Sequence, residues 1–131
     1  MREYLFRGKR KDNEEWVYGD LWCNPYGKRV VCIVSPINNQ GTTGGNGVDT
    51  ETVGQYTGLT DKNGKKIFEG DILRFGDDGE YLNYEVVWFG NRWVVIQCGI
   101  SGTDDLDMFF CESSNIIGNI YDNPELLEVE E

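Results

Sequence analysis

Histidine is absent from all 131 residues, which removes Ser-His-Asp and Cys-His nucleophile arrangements and the usual general base near neutral pH. Methionine (two) and proline (three) are scarce and no long Ala/Leu/Glu/Lys periodic run occurs, so extended helices are not expected. No stretch approaches the roughly 20 apolar residues needed to span a bilayer. The opening Met-Arg-Glu-Tyr-Leu-Phe-Arg returns to charge before the apolar core of a signal peptide can form. The chain therefore reads as soluble and unsecreted, with no membrane partner. Its four cysteines, Cys23, Cys32, Cys98 and Cys111, include no C-x-x-C pair, so reduced thiols are expected and a four-cysteine zinc site is disfavoured. No Lys or Arg follows Arg92, whereas nine Asp or Glu do.

The formal charge is −11, and five of the twelve basic residues lie in the short stretch from Arg2 to Lys11. A protein of this polarity repels phosphate backbones, so no direct nucleic-acid partner is expected. The asymmetry permits head-to-tail contacts between subunits or docking on a basic protein.

What the chain does hold is turn and strand chemistry: 17 Gly, six Phe, seven Tyr and four Trp. This is too aromatic for a disordered tail, and its length suits about one core. The expected class is all-β, a small bent-sheet or barrel-like domain of short antiparallel strands and hairpins with a short C-terminal arm. The organisation expected is a single domain over 1–131, with a flexible Gly-rich loop at 38–47 and room for an N-terminal subdomain, 1–37, packed on 50–131.

Glu3 to Arg7 and Glu15 to Trp22 read as two strands around the Asp12-Asn13 turn, and Arg29 to Ser35 as a third. Asn38 to Gly47 contains four glycines and no large side chain to offset the cost of ordering it. It lacks the Gly-Lys-Ser/Thr ending of a phosphate loop. Asp61-Lys62-Asn63-Gly64 predicts a tight turn, followed by a strand from Ile67 to Phe75 bent at Gly70. The clearest hairpin joins Tyr84–Phe89 to Arg92–Ile96 through Gly90-Asn91, where glycine in first place suits a type II′ turn. Ser101 to Asp107 reads as an acidic loop, and Met108–Cys111 and Asn115–Tyr121 as short strands. The stretch from Glu125 to Glu131 reads as an arm with a helical turn or two.

Three segments together resemble the YopX-like family of phage and prophage proteins. The central one runs Gly54-Gln55-Tyr56-Thr57-Gly58-Leu59-Thr60-Asp61-Lys62-Asn63-Gly64-Lys65-Lys66-Ile67-Phe68-Glu69-Gly70-Asp71-Ile72-Leu73. The others are Arg2 to Asp20, with its Tyr-Gly-Asp turn, and Ile117-Gly118-Asn119-Ile120-Tyr121-Asp122-Asn123-Pro124-Glu125-Leu126-Leu127. The resemblance implies a phage-derived protein acting in a bacterial cytoplasm as a homo-oligomer. It carries over no catalytic residues and no cofactor.

Read as chemistry, Asp61, Glu69 and Asp71 are the weak candidates for a Mg²⁺ or Ca²⁺ site, because hard cations take oxygen ligands. The same residues serve a turn and a bend equally well, with Asp71 accepting backbone N–H bonds beside Gly70. No catalytic, cofactor or metal residues are assigned. Trp16 and Tyr18 share one strand face, Tyr84 and Trp88 another, and these aromatics suit a core or subunit contact better than a stacking platform that has no basic groove. The interface candidates are Trp16, Tyr18, Trp22, Trp88 and Trp93. The reading is a non-enzymatic, oligomerising protein-binding module whose acidic C-terminal half faces a basic host or phage protein. Its alternatives are an acidic decoy that imitates DNA and a carboxylate- or metal-dependent hydrolase.

Overall fold

The computed structural model describes residues 5–23, 31–34, 45–77, 79–98 and 102–127, without the side chains of 20–23, 31–34, 45–46, 77 and 109. It is mostly β, 58% strand and 12% helical, in two antiparallel sheets of which one is curled into a half-barrel. The one α-helix among the described residues has five residues, and no helix among them is long and apolar enough to cross a membrane. The chain divides into two compact units, residues 1–56 and 57–131.

In the first unit, β1 (Phe6–Lys9) and β2 (Trp16–Cys23) form the expected hairpin, with Phe6 opposite Gly19 and Lys9 opposite Trp16. Turn chemistry closes it: the Asn13 Oδ1 accepts the Glu15 N–H at 3.0 Å, Glu14 takes a positive φ of 61°, and Arg10 pairs with Asp12 at 2.6 Å. Strands β3 (Val31–Val34) and β4 (Gly45–Gly47) extend the sheet, and β5 (Gly54–Thr60) meets the other side of β1 at Phe6–Gln55 and Arg7–Gly54. The Gly-rich stretch expected as a loop thus ends in an edge strand paired with β3. Residues 38–44 of it lie outside the described residues. Gly8 is required by packing, since a Cβ there would lie 2.9 Å from the fully buried Val48.

The second unit contains the end of β5, β6 (Lys66–Phe68), β7 (Asp71–Asp77), β8 (Glu80–Phe89), β9 (Arg92–Gln97), β10 (Thr103–Asp105), α1 (Met108–Glu112) and β11 (Ser114–Asn119). Five of these form an antiparallel sheet in the order β10-β9-β8-β7-β11. The register places Leu73 opposite Tyr84 and Ile116, and Val86 opposite Val95, so one face collects every second residue. That face, with Ile67, Leu106 and Cys111, is the core, flanked by Leu59, Phe75, Trp93, Phe110 and Ile116. Burial of this apolar set, at roughly 25 cal/mol per Å², is the unit's main source of stability.

Three expectations are corrected. The run from Ile67 to Phe75 is two strands, β6 and β7, separated by a tight turn where Gly70 has φ +90°, rather than one bent strand. Met108–Cys111 is the helix α1, because the Asp107 carboxylate caps it by accepting the Phe110 N–H at 2.8 Å. A four-residue apolar run has no period with which to announce that choice. Thr103–Asp105, read as loop, is the edge strand β10; all three residues are exposed, so no alternation marks them. At the C-terminus, Pro124–Leu127 forms one 3-10 turn.

Candidate functional site

The central motif resolves into two buried carboxylates with backbone partners. Asp61 Oδ1 accepts N–H bonds from Asn63 at 2.9 Å and Lys65 at 3.0 Å, while its Oδ2 accepts from Ile116 at 3.0 Å. Gly64, at φ +80°, closes the turn by donating to the Asp61 carbonyl at 2.9 Å. Asp71 is equally buried, and its Oδ2 accepts the Phe68 N–H at 2.8 Å across the Glu69-Gly70 turn. Among the described residues no three Asp, Glu or Cys side chains gather to hold a metal ion, so Asp61, Glu69 and Asp71 are not brought together as a site. The carboxylate oxygens of Asp61 and Asp71 accept backbone N–H groups that fold the motif.

The aromatic candidates fall on two different sheets. In the first unit, Trp16 is half-buried beneath the Arg7 guanidinium, 4.7 Å from its ring centroid, and Tyr18 is exposed opposite Arg7. The Trp22 side chain lies outside the described residues. In the second unit, Trp88 and Trp93 face each other across β8 and β9 at the turn end of the hairpin, their rings 4.9 Å apart and inclined at 66°. Trp88 is 43% exposed and its neighbour Phe89 59%. Gly90 alone takes positive φ in that turn, at +70°, and the Asn91 N–H donates to the Phe89 carbonyl at 2.8 Å, so the tip is tightly folded beneath its exposed rings.

A second exposed apolar feature had no signal in the sequence. Phe75, Gly76, Glu80, Tyr81 and Leu82 line an open cavity of about 470 Å³ where β7 turns into β8. Tyr81 and Leu82, both exposed, lie on opposite faces of one strand, so neither periodicity nor turn chemistry singles them out. Phe110 packs behind, stacked on Phe75 at 4.9 Å and edge-on to Tyr84 at 5.0 Å.

The thiols near this core are not nucleophiles in waiting. Burial first, then the nearby Asp107, Asp61 and Glu112, push the Cys111 thiol up to about 11. Burial and Glu85 raise Cys98 as well, and burial raises the Glu85 carboxyl. A reactive cysteine needs the opposite shift.

Charge separates along the chain. Residues 1–56 hold seven Lys or Arg and seven Asp or Glu, whereas residues 57–131 hold five and sixteen, so the whole −11 belongs to the second unit.

The model of the family described as YopX protein matches residues 5–128. Among solved structures, the chain is similar to protein EF1440 from Enterococcus faecalis, with a TM-score of 0.59 and 25% sequence identity, over 98% of this chain and 100% of that one. That name states no ligand or activity. No match was found among curated proteins.

Proposed function

Because the chain belongs to the YopX protein family, we propose that it is a non-enzymatic accessory protein of phage or prophage origin that self-associates and docks a second protein in the bacterial cytoplasm. The observation that carries this reading is the hairpin tip of the second unit. There Trp88 and Phe89 are 43% and 59% exposed beside a tight turn, with Trp93 packed edge-on against Trp88. Exposed aromatic side chains on a fixed backbone supply large contact area at little entropic cost, and they are the usual anchors of protein interfaces. The sixteen acids of the same unit supply long-range attraction for a basic partner.

Light scattering tests the reading. The wild-type chain is expected to give an oligomer mass that is largely insensitive to salt. Trp88→Ala combined with Phe89→Ala, with an unchanged circular dichroism spectrum, is expected to weaken association by about tenfold or more. A wild-type mass equal to the monomer at every concentration overturns it.

The concentration of charge favours one further reading, an acidic surface that stands in for DNA and occupies a host nucleic-acid enzyme. Its signature is competition with DNA that fades as salt screens the carboxylates.

A further inference from the structure

The second unit has few cations, and they are not equivalent. Lys62, Lys65 and Lys66 are exposed around the Asn63-Gly64 turn, and Arg92 is bridged to Asp105 at 3.4 Å. Arg74 differs. It stands on β7 in the interior of the five-stranded sheet, half-buried, directly opposite Asn83 of β8 and Asn115 of β11. Residues directly opposite in antiparallel strands share a sheet face, so Asn83, Arg74 and Asn115 form one row across three strands on the face turned away from Leu73 and Tyr84.

The guanidinium in this row is held in place. Its Cζ lies 3.8 Å from the Tyr81 ring centroid, and its Nε donates to Asn83 Oδ1 at 3.2 Å. Stacking fixes the plane of the fork, and the hydrogen bond fixes its rotation within that plane. Its two terminal amino groups make no hydrogen bond and no ion pair among the described residues, although sixteen of the unit's 75 residues are acidic. The Asn115 side-chain amide is likewise without an intramolecular hydrogen bond there.

We propose that Arg74, flanked by Asn83 and Asn115 and backed by Tyr81, is a carboxylate-binding subsite for a partner polypeptide. A planar guanidinium with its terminal donors open matches a carboxylate in a bidentate pair, and the Asn115 amide can add a third N–H. One cation in a unit of net charge −11 suits a singly charged group; a phosphate or a nucleic-acid backbone meets repulsion that one arginine does not offset. The Tyr81 ring that backs the guanidinium also lines the cavity with Phe75 and Leu82, which offers an apolar place beside the bound carboxylate. The subsite rests on the protein-binding reading and sharpens it. The acidic surface attracts any basic protein, whereas an arginine at one fixed point selects the one that places an acid there.

The test uses the full-length protein labelled with ¹⁵N, reading the Arg74 Nε–H and the side-chain amides of Asn83 and Asn115 by NMR. Four probes are titrated: N-acetyl-Gly-Leu with a free C-terminal carboxylate, N-acetyl-Gly-Leu-amide, N-acetyl-Glu-Leu-amide and inorganic phosphate. Saturable shifts at these three side chains with either carboxylate peptide, and none with the neutral amide, are expected. The tighter of the two carboxylate peptides identifies a chain terminus or an acidic side chain as the source. Arg74→Gln is expected to weaken that binding by about tenfold or more, as loss of a charge-assisted pair requires. Arg74→Lys, which keeps charge but loses the fork, should fall between. Where Arg74→Gln fails to fold, Arg74→Lys and the contrast between acid and amide peptides decide the matter. No saturation at roughly 50 mM peptide, well above the millimolar range of a weak contact, overturns the proposal. So do equal shifts with the neutral amide, or phosphate bound at least as tightly as carboxylate. Because no probe here depends on self-association, failure of the Trp88 experiment and failure of this one are separate results.

Discussion

Asp61 receives N–H groups from residues two, four and 55 positions along the chain, so one side chain ties a local turn to a distant strand. The local half was legible: Asp-Lys-Asn-Gly is turn chemistry, and Asp71 after Gly70 is an acceptor beside a bend. The bond to Ile116 was not, because it depends on which strand passes by. Removing the carboxylate leaves three donors without their acceptor in a site where Asp61 itself is buried. Asp61→Ala is therefore expected to cost about 2–4 kcal/mol. A lowered urea midpoint with an unchanged slope would measure it. A loss below about 0.5 kcal/mol would mean that water replaces the carboxylate freely.

Among the elements, those with a period or a turn signal were legible and those without were not. Val86, opposite Val95, and Trp88, opposite Trp93, obey the alternation read from Tyr84–Phe89 and Arg92–Ile96, and Gly90 takes the positive φ expected of it. α1 and β10 were missed for a common reason: each is so short that its state is set by neighbours, an aspartate cap in one case and the edge of β9 in the other. The cap makes a prediction for the helix as a whole. Asp107→Ala should cost about 1 kcal/mol and loosen Phe110, which stacks on Phe75, so its ring should show weaker contacts in NMR. Unchanged stability and ring contacts would show instead that packing alone holds the turn.

At the scale of the whole molecule, charge is the dominant asymmetry, with a neutral first unit and all of the −11 in the second. Folding draws those acids together, so screening them should stabilise the protein: the melting temperature is expected to rise by a few degrees between about 10 mM and about 150 mM NaCl. A flat or falling midpoint would indicate that most of the acids are already compensated. Sequence by itself determined the class of fold, the principal turns, the absence of histidine chemistry and the sign of the field, because propensity, alternation and composition are local or additive quantities. Only the tertiary structure decided that Asp61 and Asp71 accept backbone N–H groups, that the aromatic candidates lie on separate sheets, and that Arg74 stands stacked between two asparagines with no acid partner among the described residues. Those outcomes depend on cross-strand register, which joins residues such as Arg74 and Asn115 that lie 41 positions apart and are linked by nothing in the intervening sequence.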